Sequence, residues 1–128
     1  MKLSKDFKEI KGDASIRKFY RNTKKNSIIV FANIEKIKNL LIYDSINKIL
    51  IKNNIIAPKL LSQNYRNNFI EIQDLGKETI YQTFIKNKKD HYLILKKVIN
   101  VLNKIQKIKD KKIKNFNNKF YKIKNYNN

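Results

Sequence analysis

Apolar positions along this chain change their period midway, and the change divides it into a sheet-forming part and a helix-forming part. Residues 28–32 are an unbroken apolar run, the pattern of a strand covered on both faces. Residues 16–21 mix Ile16, Phe19 and Tyr20 with long basic groups, which suits a second strand. The polar, lysine-bearing stretch 22–26 joins them as a hairpin loop. Residues 1–11, with Leu3, Phe7 and Ile10 as apolar points, read either as a short helix or as a first strand. An antiparallel meander is the simplest arrangement of these pieces. From 35 to 53 the period becomes helical: Ile34, Ile37 and Leu41 recur on one stripe, and Ile42, Ile46, Ile49 and Leu50 on its neighbour. Asn33 and Glu35 suit a helix start, Asn53-Asn54 a stop, and Pro58 forbids helix beyond. Residues 60–64 and 69–73 then form a second hairpin around 65–68. The order is β-β-β-α-β-β, an α+β class with a five-stranded antiparallel sheet and one helix.

After Gly76 the reading is helical. Residues 78–87 predict a short amphipathic helix with Ile80, Phe84 and Ile85 on its apolar side. Asp90 is placed to cap the next helix, in which Ile94, Val98, Val101, Ile105 and Ile108 alternate steps of four and three. That stripe predicts burial along one face, within the chain or, alternatively, against a coiled-coil partner. The stretch 110–128 is low in complexity, made of lysine, asparagine and aromatics. It is too poor in apolar surface to offset its own ordering entropy. Phe116, Phe120 and Tyr121 read as docking groups for a surface outside the chain, or as groups that stack single-stranded bases. Two units are expected: 1–73, the sheet, and 74–128, a crossover and the start of a helical part.

Composition changes this picture little. With 128 residues the chain suits one small domain. Cysteine is absent, which removes disulfide and thiol chemistry, and no apolar run reaches the ~18–20 residues of a membrane span. No signal-like apolar start is present, so a cytoplasmic location is expected. The net charge of +20 would ordinarily indicate a nucleic-acid or anionic-membrane surface. Yet arginine stands only at 17, 21 and 66, while lysine, isoleucine and asparagine are inflated together. These three have A- and T-built codons, so a strongly AT-rich genome accounts for them without a selected partner. Readers of nucleic acid also favour arginine's fork. Non-specific attraction of polyanions at low salt is expected in either case.

One segment carries chemistry. Gly12-Asp13-Ala14-Ser15 is a small-residue turn feeding a strand with Arg17 and Arg21. Such a turn can aim backbone N–H groups at phosphate oxygens, and nearby arginines can add forked donors. The alternative is an ordinary turn, with Arg17 and Arg21 as exposed basic residues on a strand. The segment resembles the corresponding loop of the aminoglycoside-phosphotransferase-like kinase family, particularly the bacterial kinases that phosphorylate the anomeric hydroxyl of N-acetylmuramate and N-acetylglucosamine. The resemblance continues through Ile55-Ile56-Ala57-Pro58-Lys59-Leu60-Leu61 and Phe69-Ile70-Glu71-Ile72-Gln73-Asp74-Leu75-Gly76. It runs over about residues 7–109, with the three motifs in the family's order.

The resemblance implies a protein-kinase-like small lobe, followed by a hinge and the first helices of an incomplete helical lobe. It implies ATP as ligand: Gly12, Asp13, Ala14 and Ser15 over the phosphates, with Arg17 or Arg21 helping to neutralise them. Strand alternation places both arginines on one side of the sheet, facing either phosphates or solvent. Gln73, Asp74, Leu75 and Gly76 would be the adenine hinge, acting mainly through backbone groups; Asp74 could equally cap the helix that follows. The third-strand lysine common in kinase-like folds is absent, as in the sugar kinases named above. The family's His-x-Asp loop and metal-binding Asp are not found: His91 has Leu93 two places on, Asp110 is isolated among lysines, and Asp44 receives no role. No catalytic residue and no metal ligand is therefore assigned. Magnesium ligands are expected outside this chain, and inactivity of the chain alone is expected. A separately encoded helical lobe is the expected macromolecular partner. The alternative reading is a small basic protein that binds single-stranded nucleic acid.

Overall fold

The computed structural model describes residues 4–11, 16–114 and 120–122. Five strands form one antiparallel sheet: β1 (Phe7–Ile10), β2 (Arg17–Asn22), β3 (Ser27–Ala32), β4 (Leu60–Asn64) and β5 (Phe69–Gln73). Their spatial order is β1-β2-β3-β5-β4. The helix α1 (Lys36–Lys52) makes the crossover from β3 to the edge strand β4. Of the two readings of residues 1–11, the strand is the one observed. The hairpin loop after β2 is held by Asn22, whose Oδ1 accepts from the Lys24 and Lys25 amides at 2.9 and 3.1 Å.

The core lies between the sheet and α1. Register pairs Phe19 with Val30, Val30 with Ile70, and Ile28 with Ile72. These side chains therefore share one face, and Val30, Ala32, Leu40, Tyr65, Ile70 and Ile72 close into a buried cluster. On the other face Glu71 accepts from Ser27 Oγ at 2.6 Å and from Ser62 Oγ at 3.1 Å, tying three strands.

The helix sits where its sequence places it, but only part of the expected apolar stripes faces inward: Ile49 is buried and Leu41 packs against the core. Ile34, Ile37 and Ile46 are exposed, whereas Leu40, Asp44, Ser45, Asn47 and Ile49 are buried. Steps of four and three from Leu40 select Asp44 and Asn47, and with Asn39 and Ser45 four of the six buried residues of the helix are polar. Asp44 pairs with Lys48 one turn on, at 2.7 Å. Burial, with the Asp44 charge adding to it, pushes the Tyr65 hydroxyl up to about 12. Asn53 ends the helix by donating its side-chain amide to the Ile49 carbonyl at 2.9 Å. Asn54 follows in the left-handed region at φ 58°, which asparagine enters more easily than most residues.

Beyond Gly76 come α2 (Ile80–Lys86), a 3₁₀ turn (Lys88–Asp90) and α3 (His91–Gln106). Asp74 does not cap α2, because that helix begins six residues later; Thr79 caps it in a reciprocal box with Gln82. Asp90 stands at the N-cap of α3, but its side chain makes no capping bond there. Both helices exist as the periodicity predicts, yet no described residue of either is buried. The expected burial of the α3 stripe is not observed, since α1 already fills the covered face of the sheet. Thr79→Ala is expected to weaken α2 by about 1 kcal/mol, seen as faster amide exchange at Thr83 and Asn87, whose amides bond to the Thr79 and Thr83 carbonyls at the two ends of the helix.

Among the described residues, 112–114 and 120–122 carry regular structure that their composition does not imply. Two short strands, β6 (Lys112–Lys114) and β7 (Phe120–Lys122), pair antiparallel beside α1. Asp110 is not isolated: it accepts from Lys52 Nζ at 2.5 Å and from Asn53 Nδ2 at 2.8 Å. These donors hold its carboxyl below the usual carboxylate range. Phe116 lies outside the described residues.

Candidate nucleotide site at the strand exit

Because β5 lies between β3 and β4, the chain leaves the sheet beside the β2–β3 hairpin. Two backbone bonds fix this exit: the Gln73 amide donates to Lys59 O at 2.9 Å, and the Asp74 amide donates to Asn26 O at 3.1 Å. Arg21, near the end of β2, then reaches across. Its Nε donates to Asp74 Oδ2 at 2.5 Å and its Nη2 to Asp74 Oδ1 at 3.2 Å, the forked geometry of an arginine–carboxylate pair. Nη2 also donates to the Gly76 carbonyl at 2.8 Å, while the Gly76 amide donates to Asp74 Oδ1 at 2.8 Å. Arg21 thus holds the crossover at two points.

The Asp74 side chain is only 7 % exposed and that of Arg21 is 20 % exposed. Hydrogen bonding from Arg21 lowers the Asp74 carboxyl pKa; burial opposes this, and the Gly76 amide and the Arg21 and Lys77 charges reinforce it. Gly76 has φ 112°, and a Cβ placed there would meet no atom within 4 Å. Glycine is needed for its backbone conformation and not for room.

The clasp borders a cleft of about 510 Å³ on the α1 side of the sheet, lined by Lys8, Ile10, Arg21, Lys25, Asp74 and Lys77 among others. Lys8 is the cross-strand partner of Arg21, which is why both point into it. Four cations line it, the last being Lys77, against two carboxylates, Glu9 and Asp74. Since Asp74 is already matched by Arg21, the remaining surface favours an anion. Lys8, Lys25 and Lys77 carry no motif; only the pairing of β1 with β2 and the crossover of β5 brings them together.

Arg17 and Arg21 share the α1 face of β2, so neither projects from the opposite side of the sheet. Arg17 lies over the Tyr43 ring at 5.1 Å from its centroid, and Phe19 packs on the same ring at 6.2 Å. Burial raises the Tyr43 pKa, against a hydrogen bond with Asn47 and the Arg17 charge. Gln73 and Leu75 border a separate cleft of about 400 Å³ behind the crossover, with Ile51, Asn54 and Ile55. Gly12, Asp13, Ala14 and Ser15 lie outside the described residues.

His91 is engaged structurally: its Nε2 donates to the Phe84 carbonyl at 2.7 Å, and its ring stacks on Phe84 at 3.7 Å. Among the described residues no three His, Cys, Asp or Glu side chains cluster so as to hold a metal ion. None of the described helices is long and apolar enough to cross a membrane. No family model, curated protein or solved structure matches the chain, so the α+β sheet-and-helix architecture and this basic cleft are what define it.

Proposed function

We propose that the five-stranded sheet and α1 form the ATP-binding small lobe of a phosphotransferase resembling the amino-sugar kinases. The observation carrying this reading is the cleft itself, a cationic hollow bounded by a strand exit with glycine at positive φ. The strand–helix order implied by the resemblance, three strands, a helix and two strands, supports it. An adenine at the crossover would bond to backbone groups. The Gly76 amide and carbonyl already have side-chain partners, which leaves the Leu75 backbone on an exposed residue as the first candidate. Phosphates would then extend along β1 and β2 toward the connection containing Gly12 to Ser15. Arg17, four residues from Arg21 on the same face, is packed over Tyr43 and lies outside the cleft lining, so the cleft's own cations are Lys8, Arg21, Lys25 and Lys77.

The lining cations fit a polyphosphate. Of the two lining carboxylates Asp74 is engaged by Arg21, and Glu9 by itself does not fit a magnesium ion as well, so no step is routed through one. ATP with magnesium is expected to bind saturably but weakly, with Kd on the order of 1 mM, because only one wall of the cleft is built by these residues. Isothermal titration at fixed physiological ionic strength checks this against tripolyphosphate, which carries the charge without the base. Preference for ATP supports the reading. Equal binding of both, or none up to about 10 mM, refutes it and leaves the cleft as a non-specific polyanion surface.

A further inference from the structure

A second surface owes nothing to the nucleotide reading. Between α2 and α3 runs a groove of about 480 Å³ lined largely by Ile80, Ile94, Val98, Val101 and Leu102. Val101 is 42 % exposed and Leu102 52 % exposed; Leu95 and Ile99, earlier in α3 and outside the groove lining, are 50 % and 54 % exposed. A helix this apolar, exposed along most of its length, has a contiguous patch of the kind that marks an interaction site. The groove is also preformed. The His91 hydrogen bond to Phe84 O and the ring stack beside it fix the angle between its two walls.

The walls carry charge of one sign. In α3 the charged residues are Lys96, Lys97 and Lys104, and in α2 the sole one is Lys86. The nearby acid, Glu78 on the groove's lip, is taken by Lys86 at 3.2 Å. We propose that this groove receives an acidic amphipathic helix of another polypeptide, its apolar side in the groove and its carboxylates against the lysines. A second copy of this chain, itself carrying +20, meets like-charge repulsion. A bilayer surface is flat and leaves a concave groove unfilled. The α3 wall, 16 residues long, spans about 24 Å at 1.5 Å per residue, enough to seat a partner of four turns by the helix-in-groove mode.

The test uses the full chain and two labelled peptides of about 18 residues, identical on a leucine face and bearing glutamate or lysine on the other. Fluorescence anisotropy at about 150 mM salt is expected to show binding of the glutamate peptide and none of the lysine peptide. Val101→Asp, at an exposed position, is expected to weaken it at least about tenfold, with the thermal transition unchanged. Lys97→Glu with Lys104→Glu should transfer the preference to the lysine peptide. Binding of both peptides alike, insensitivity to Val101→Asp, or a Val101→Asp loss matched by unfolding of the chain overturns the proposal. So does preferential binding to phosphatidylserine vesicles or to single-stranded RNA, or a concentration-dependent dimer abolished by Val101→Asp.

Discussion

Replacing Arg21 by alanine is expected to cost about 3 kcal/mol of folding stability, the lower end of the range for breaking a buried ion pair. The lower end applies because the Arg21 side chain keeps a fifth of its surface in water while Asp74 keeps 7 %. Most of that loss comes from the carboxylate left behind, with only the Gly76 amide and the Lys77 charge to offset its desolvation. A domain of this size has about 5–15 kcal/mol in all, so the urea midpoint should fall visibly. Adding Asp74→Asn to Arg21→Ala should recover part of the loss, because a neutral amide strands no charge. Loss of less than about 1 kcal/mol would mean that water reaches the pair and that the clasp is ornamental.

The same pair sets a pH dependence. The Asp74 pKa is lowered in the folded chain. The stabilisation is therefore complete above the unfolded carboxylate value, about 3.9, and is lost as pH falls through the folded value. The wild-type midpoint should drop with acid below about pH 4, and the Arg21→Ala profile should be flatter there. A steeper profile in the variant contradicts this assignment.

Ile70→Ala is expected to cost about 3 kcal/mol, within the roughly 2–5 kcal/mol seen for isoleucine truncation in cores. Ile70 is 0 % exposed, on the strand whose two neighbours are β3 and β4, and it pairs with Val30, also 0 % exposed. The helix-facing cluster cannot easily collapse into the gap, because five antiparallel strands fix the spacing below it. Chemical denaturation reads the change. Leu61→Ala, at an exposed edge-strand position, should shift the midpoint by less than about 0.5 kcal/mol.

What could be read from the chain before its structure follows from which forces act locally. Strand and helix bounds from 16 to 73 were legible, because period-two and helical patterns reflect burial that nearby residues themselves supply. The inward face of α1 was not. Its apolar stripe at Ile34 and Ile37 points outward, and the buried Asp44 and Asn47 are tolerated through partners, Lys48 and Tyr43, that composition does not rank. The position of Arg21 on β2 was legible, but its clasp on Asp74 was not, since that contact spans 53 residues and depends on the β5 crossover. The β6–β7 hairpin was hidden for the same reason. Its anchor, Asp110, meets Lys52 and Asn53 across separations of 58 and 57 residues.

Asp74 and Asp110 moor the two ends of the α2–α3 arm to the sheet domain, one through Arg21 and the other through the end of α1. Ile51 and Asn54 from that helix end share a hollow with Gln73 and Leu75, so the two moorings stand on the same border of the domain. The arm is thus a closed handle rather than a dangling extension. Because loop-closure entropy grows only slowly with length, evolution or engineering can lengthen, shorten or exchange the handle's contents while the five-stranded platform keeps its register.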